Sequence, residues 1–427
     1  MNKKVGIVTL GCRVNWYESV AIAELLSKQG FIPVSEESDC DYYIVNTCAV
    51  TAESERKSRQ AVRRAALKGK TCVIGCASQL SDSFSKINNV IYTGGCRDKL
   101  GCISAITGDI PYGTNAVAPM DGAPYEAMTV SGEGKLFSEC RAFVKIQDGC
   151  NGKCTYCIIP TCRGSVRSRP IQEIKDEALR LVSNGYKEII LTGIETSAYN
   201  QAPLQSLIET LSEVDGLYRV RLGSLTPNII TEQLLQSVVK SKNFMPHFHL
   251  SLQSCCDSVL ADMKRPYRKS DIISKIELIR SAVKDALISA DIIVGFPGES
   301  ADDFEETVNT LKELNLYRVH SFPYSEREGT PAATFANPVP KSERKRRNNE
   351  LILAVRENYQ STVRSLAGKH AEVLVEKVIG NTAFGHTESF LEVSFRCEDV
   401  AVGDIVEVII NDKLCDGTVS VTVYNQR

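Results

Sequence analysis

The sequence predicts an α/β protein of three units: an amino-terminal doubly wound parallel sheet, a central partial (β/α)6 barrel of the TIM type, and a small antiparallel β-barrel at the carboxy terminus. Three observations predict this. Short apolar runs alternate with helical patterns in one series near the start. A second such series follows a stretch rich in Gly, Pro and Ala. The last ~60 residues alternate apolar and polar side chains between turn signals. At 427 residues the chain exceeds a single core. The expected divisions are 1–110, a linker over 111–138, 139–367 and 368–427.

Residues 5–10 read as the first strand; with no long apolar stretch or small-residue cleavage site before it, the start does not read as a signal peptide. A helix follows over 19–29, ended by Gly30. Residues 42–46 form a strand, 52–68 a basic helix stopped by Gly69, and 71–74 a strand. This βαβαβ order implies a parallel sheet with helices on both faces. Residues 108–134 lack a period and read as a linker or irregular edge. From Arg141 six strands are expected, over 142–147, 188–192, 218–222, 247–251, 287–294 and 318–322. Helical patterns fall between them, notably 171–183, 272–283 and 301–314, as an open βα barrel requires. Residues 341–366 form a long polar helix with a basic start. Residues 372–423 alternate, with turns at Gly380-Asn381, Gly403-Asp404 and Asp416-Gly417.

An apolar fraction of 43% and a charged fraction of 24% are those of a soluble globular chain. No apolar run approaches a membrane span. Sixteen cysteines without an export signal argue for a reducing, cytoplasmic setting rather than disulfides. A net charge of -2 gives no global sign of nucleic-acid binding, so RNA contact must be local.

Cys150, Cys154 and Cys157 stand in a C-x3-C-x2-C spacing. A cubane iron–sulfur cluster takes one thiolate per iron, so three close thiolates leave one iron open. An open position marks a metal that does chemistry. The alternatives are a structural zinc site, for which no histidine lies near in sequence, or buried small hydrophobes. Cys12, Cys48 and Cys76 each follow a predicted strand. Loops after the carboxy ends of parallel strands meet on one edge, so these three thiols converge unless they are unrelated loop cysteines.

The stretch Cys150-Asn151-Gly152-Lys153-Cys154-Thr155-Tyr156-Cys157-Ile158-Ile159-Pro160, with Arg163-Gly164-Ser165-Val166-Arg167-Ser168-Arg169-Pro170, resembles the cluster loop of radical S-adenosylmethionine enzymes, in particular the methylthiotransferases. Leu10-Gly11-Cys12-Arg13-Val14-Asn15, Asn46-Thr47-Cys48-Ala49-Val50-Thr51 and Gly75-Cys76 resemble their amino-terminal domain, and the tail resembles a TRAM β-barrel. Leu191-Thr192-Gly193-Ile194-Glu195-Thr196, Arg221-Leu222-Gly223-Ser224, His320-Ser321-Phe322-Pro323-Tyr324-Ser325 and Glu328-Gly329-Thr330-Pro331-Ala332 are similar to the branch acting on threonylcarbamoyladenosine in tRNA. Three residues depart from the family pattern: Cys255 where glycine is usual, Trp16 for glutamine, and Cys96 for asparagine.

The resemblance implies two [4Fe-4S] clusters, on Cys150/Cys154/Cys157 and on Cys12/Cys48/Cys76, with S-adenosylmethionine bound at the open iron of the first. It implies reductive cleavage of that cofactor, loss of hydrogen from C2 of adenine, sulfur carried or donated by the second cluster, either its own or an exogenous sulfur on its open iron, and a methyl group from a second S-adenosylmethionine. Tyr156, Gly193, Glu195, Ser224, Gln253, Gly295 and Arg163 are implied around the cofactor. Arg163, Arg167 and Arg169 could instead meet RNA phosphate. Arg63 and Arg64 in one basic helix, Lys345 and Arg346 in another, and Lys377 and Lys413 on one face of the acidic tail are the RNA candidates. The implied partners are tRNA and a one-electron donor of flavodoxin or ferredoxin type. Rival readings are the same chemistry on isopentenyladenosine or on a ribosomal-protein aspartate, and a non-catalytic RNA-binding or iron–sulfur scaffold.

Overall fold

The computed structural model describes residues 3–35, 39–126, 128–133, 140–397, 399–415 and 418–424. Its first sheet is wholly parallel, in the order β2-β1-β3-β4-β5-β6. The strands are β1 (Lys4–Thr9), β2 (Ile32–Ser35), β3 (Tyr42–Thr47), β4 (Lys70–Gly75), β5 (Val90–Thr93) and β6 (Thr114–Asn115). α1 (Arg13–Lys28), α2 (Ala52–Lys68), α3 (Cys76–Leu80) and α4 (Gly101–Thr107) connect them. β3 and β4 are continuous apolar runs because helices cover both faces of the sheet. α2 starts on a reciprocal capping box between Thr51 and Ser54, with Glu53 and Glu55 in its first turn. α1 begins six residues before the expected helix. Buried Asn15, Glu18 and Ser19 interrupt the apolar period there, and they are polar for a reason given below.

Six parallel strands form the central barrel: β7 (Arg141–Lys145), β10 (Glu188–Thr192), β11 (Arg219–Leu222), β12 (His247–Gln253), β13 (Leu287–Val294) and β14 (Arg318–Pro323). Two three-stranded ladders, β11-β10-β7 and β12-β13-β14, are joined by bridges from Val220 to Phe244 and Leu225 to Leu250. The outer helices are α6 (Ile171–Ser183), α7 (Leu204–Ser212), α8 (Glu232–Lys240), α10 (Lys269–Ala282) and α11 (Ala301–Glu313). Short β8 (Gln147–Asp148), α5 (Ile159–Arg163), β9 (Arg167–Ser168) and α9 (Asp257–Asp262) lie at the carboxy-terminal rim. α12 (Lys341–Leu366) spans two cores: Leu351 and Val355 pack on the central barrel, Val363 and Leu366 on the small one.

The tail closes into a five-stranded barrel of β15 (His370–Ile379), β16 (Thr382–Thr387), β17 (Glu392–Arg396), β18 (Ile405–Cys415) and β19 (Thr418–Val423). It is not purely antiparallel. β18 returns to pair with β15, so β19 reaches β17 running parallel to it. The turn at Asp416-Gly417 and linker positions 134–138 lie outside the described residues. No described helix is long and apolar enough to cross a membrane.

Candidate active site

Strands β1, β3 and β4 lie side by side, and Cys12, Cys48 and Cys76 follow their carboxy ends. Gly11, at φ +98°, lets the first loop lie directly on the second, since a Cβ there would stand 2.7 Å from the Cys48 sulfur. The Asn15 amide donates to the carbonyls of Leu10 (2.7 Å) and Thr47 (3.0 Å), and the Thr47 hydroxyl donates to Ile74 (2.7 Å), which ties the three loops together. The three sulfurs lie within electrostatic reach of one another. Surrounding protein pushes the Cys12 and Cys48 thiols up. The Cys76 thiol is held well below the usual range by hydrogen bonds from Cys162 and Cys96, with Arg163 adding to them against burial. Cys96 therefore stands beside Cys76, 3.7 Å between sulfurs, whereas Cys72 sits in the core against the Cys102 carbonyl.

Under this set lies a buried charge network. Glu18 meets Lys99, Lys145 (2.8 Å) and Arg163 (3.1 Å), and Asp148 meets Lys145 (2.7 Å) and Arg163 (3.1 Å). Burial alone would raise both carboxyls; Arg163 and Lys145 hold them low. Three buried cations face two carboxylates, and the Cys76 sulfur lies 3.4 Å from Arg163 Nε, where a thiolate would balance the excess. The network fastens the first sheet to β7, β8 and α5. This is why α1 carries buried Glu18 and Asn15, whose amide oxygen accepts from Arg163 (2.6 Å), whereas Ser19 accepts from Thr9 (2.8 Å) and Asn46 (3.1 Å) of its own sheet.

Cys150, Cys154 and Cys157 occupy the loop between β8 and α5. The Cys150 amide donates to Gly164 (2.9 Å), the Cys157 amide to Cys154 (3.2 Å), and the Thr155 hydroxyl to Asp262 (2.8 Å), which fixes the loop. The Gly152 amide donates to the Cys150 sulfur (3.2 Å) and Arg265 to the Cys154 sulfur (3.1 Å). Burial pushes the Cys150 thiol up, and Glu195 and Cys154 add to it. Burial takes Cys157 to about 12.

Among the described residues, no three Cys, His, Asp or Glu side chains close on a single ion. Two sets of three soft thiols fit iron–sulfur cubanes instead, because a cubane takes its thiolates at separate corners.

Both sets open on one cavity of about 520 Å³, with Cys12 and Cys48 on one wall and Tyr156 and Cys157 on another. Gln253, Ile293 and Phe322 complete it. Gln253 is held at φ +68°, a conformation that costs a non-glycine residue about 1 kcal/mol or more. A second cavity of about 450 Å³ shares Gly11, Cys12, Asp291 and Phe322 with the first and runs past Gly193, Ser224 and His247 to Phe390. Phe390, at φ +70°, reaches in from the small barrel and stacks between His247 (4.7 Å) and His386 (4.4 Å), with the Arg221 guanidinium 4.9 Å from its ring.

The expected residues separate into groups. Tyr156, Gly193, Ser224 and Gln253 line the cavities, and Glu195 lies beside the Cys150 loop. Gly295 lines neither cavity and packs on Arg344; its neighbour Phe296 packs edge-on to Tyr156 (6.5 Å). Arg163 is fully buried in the charge network and lines neither cavity. Arg169 is likewise buried against Glu177. Cys255 is buried with its amide on Thr307 (3.3 Å), so it does not crowd the cavities, and Trp16 is exposed on α1.

Arg63, Arg64 and Lys345 are exposed. Arg346 is not a free cation, because Glu343 and Glu350 both pair with it, and neighbouring Arg344 and Arg347 are buried. Lys377 and Lys413 do not share a face. The β15–β18 register, His370 with Ile409 through Leu374 with Ile405, puts them beyond opposite ends of that ladder. Sequence reasoning missed Glu18, Asp148, Lys145, Arg265, His247 and Phe390. Each acts through partners distant in sequence and stands in no spacing motif.

Two family profiles match the chain: the Radical SAM superfamily over residues 144–311, and the uncharacterized protein family UPF0004 over residues 4–93. The chain is 36% identical over 410 residues to the threonylcarbamoyladenosine tRNA methylthiotransferase MtaB of Chlamydia pneumoniae, covering 94% of each chain. It is 34% identical to the protein of that name from Bacillus subtilis (strain 168), covering 95% of this chain and 93% of that one. It is 31% identical to the tRNA-2-methylthio-N(6)-dimethylallyladenosine synthase of Clostridium botulinum (strain Okra / Type B1), with the same coverages. Among solved structures, the radical S-adenosylmethionine methyltransferase TsrM from Kitasatospora setae shares the fold (TM-score 0.57, 14% identity, 78% of this chain and 77% of that one).

Proposed function

The chain belongs to the radical S-adenosylmethionine tRNA methylthiotransferases, in the branch whose members are named MtaB, and from that premise we propose that it methylthiolates C2 of N6-threonylcarbamoyladenosine at position 37 of tRNA, giving ms2t6A and using two S-adenosylmethionine per turnover. The observation that supports this most is the cavity shared by the two cysteine sets: a base seated there lies between Cys157 on one side and Cys12 and Cys48 on the other.

When bound, the two clusters and S-adenosylmethionine supply the electron, the radical and the sulfur that an unactivated aromatic C–H demands. The protein's own groups position and shield. Cys150, Cys154 and Cys157 hold the first cluster and Cys12, Cys48 and Cys76 the second. Arg265 donates to the Cys154 sulfur and so offsets thiolate charge (3.1 Å). Gly193 leaves room beside Gln147 for the amino end of the cofactor, and Glu195 offers that ammonium a carboxylate. Tyr156, Ile293 and Phe322 wall the cavity with apolar surface, which keeps water from the reacting base. Exposed Arg63, Arg64 and Lys345 meet RNA phosphates. We divide the chain into units 1–110, 139–367 and 368–427, with β6 (Thr114–Asn115) adding an edge strand to the first sheet from within the expected linker, and place the enzyme in the cytoplasm, where a flavodoxin or ferredoxin type donor supplies electrons.

Nucleoside mass spectrometry of tRNA from cells lacking this protein tests the reading. We expect ms2t6A to vanish and t6A to accumulate. Retained ms2t6A with loss of the methylthiolated isopentenyl nucleoside, or of the modified ribosomal aspartate, overturns it.

A further inference from the structure

Arg13 follows Cys12 directly and projects into the 450 Å³ cavity. Its one described contact is the face of Phe143, 5.6 Å from the guanidinium carbon, and no carboxylate pairs with it among the described residues. The other charged groups of that cavity are taken. Asp291 pairs with His249 (3.0 Å), whose other ring nitrogen meets Ser289 (2.8 Å), and Arg318 leans on Glu392 (3.6 Å). Burial, with Arg221 and His249 nearby, holds His247 neutral, and burial holds His320 low as well. The cavity thus presents one guanidinium with no carboxylate at ion-pair distance among the described residues; Asp291 and Glu188 act on it only from farther off, and a substrate carboxylate would give it a direct, charge-assisted partner.

Adenine C2 and C6 flank the same ring nitrogen. A base placed with C2 between the two cysteine sets therefore sends its N6 substituent toward a neighbouring wall, and the adjoining cavity shares Cys12 with the first. We propose that Arg13 binds the carboxylate of the amino-acid substituent on N6 and thereby selects an acidic N6 group over an apolar prenyl one. This rests on the reading above and adds the residue that enforces it. An apolar prenyl group would fill the space and leave Arg13 dehydrated without a partner, whereas a threonyl carboxylate supplies the missing charge.

The test uses reconstituted holoenzyme and anticodon stem–loops carrying t6A, its neutral methyl ester, or dimethylallyladenosine. For the wild type we expect the acid to be preferred to the ester by about 10- to 100-fold in kcat/KM and in affinity measured by fluorescence anisotropy. Arg13→Gln should collapse that ratio toward one, chiefly through KM, and Arg13→Lys should restore part of it. Damage to the fold or to cluster loading lowers both substrates alike and leaves the ratio standing. A wild type that treats acid and ester alike, or an Arg13→Gln enzyme that keeps the preference, overturns the assignment while the t6A reading stands. No product from any t6A stem–loop, with product from the dimethylallyl one, overturns the t6A reading itself.

Discussion

The Nε–H of Arg163, at the end of α5, points at the sulfur of Cys76, which opens α3 of a different sheet, over 3.4 Å. The same guanidinium is ion-paired to Glu18 and Asp148. One arginine therefore holds the two sheets together and carries charge compensation to the second cysteine set. Glu18→Gln leaves Lys145 and Arg163 with Asp148 alone and Lys99 with no ion-pair partner among the described residues. Leaving buried cations short of a partner costs about 3–5 kcal/mol, to be read by anaerobic denaturant unfolding. An unchanged midpoint would mean that the network is not what fastens the units.

The two cysteine sets predict separable defects. Cys154→Ala should abolish release of 5′-deoxyadenosine after anaerobic reduction with S-adenosylmethionine. Cys48→Ala should retain that release and lose thiolation of tRNA. Thiolation that survives Cys48→Ala would remove the second set from the chemistry.

Arg265 touches the Cys154 sulfur, and a hydrogen bond to a ligating sulfur favours the reduced cluster. Arg265→Gln should lower the midpoint potential of that cluster in an EPR-monitored redox titration, with iron content retained. A potential equal to that of wild type would assign Arg265 to loop packing through Tyr267 (2.6 Å) instead.

His247 predicts an acid limb in stability. Burial, then Arg221 and His249, holds its imidazole well below the ordinary value. The unfolded chain binds a proton near pH 6.5 while the folded one does not. Stability should therefore fall as pH drops below ~6.5. His247→Asn, which can still meet Ser289 (2.9 Å), should flatten that limb between about pH 6.5 and 5. Parallel slopes for the two proteins would show that His247 does not titrate on unfolding.

Replacing Arg63 and Arg64 by glutamine should weaken tRNA binding and reduce the slope of log affinity against log salt by about one for each phosphate no longer neutralised. Arg346→Gln should change that slope little, because Glu343 and Glu350 already neutralise Arg346. A larger effect from Arg346 than from the α2 pair would relocate the RNA surface to α12.

Periodicity and turn chemistry made the α/β architecture legible, since Ala52–Lys68, Ile171–Ser183 and Lys341–Leu366 carry their helical pattern from end to end. Local spacing likewise exposed Cys150, Cys154 and Cys157, and strand-end placement exposed Cys12, Cys48 and Cys76. What stayed hidden depends on register between distant segments. Arg163 reads as a ligand of cofactor or RNA phosphate until Glu18, 145 positions earlier, is found against it. Lys377 and Lys413 read as one patch until the β15–β18 pairing separates them. The early start of α1 is hidden from periodicity because Asn15 and Ser19 hydrogen-bond to the strand ends of their own sheet and Glu18 pairs with Lys145 and Arg163 of the next unit.

Phe390 gives the small barrel a part in shaping the neighbouring barrel's cavity. Beside its ring, Arg219 and Arg221 reach out of β11 to the backbone carbonyls of Glu372, His386, Thr387 and Glu388 over 2.7–3.0 Å. A chain ending at Leu366 would uncover both guanidinium groups, leaving them only Glu188, and would open the 450 Å³ cavity at the end that Phe390 closes. The tail therefore behaves as the floor of the reaction vessel, and trimming it should spoil catalysis on an isolated nucleoside as well as on whole tRNA.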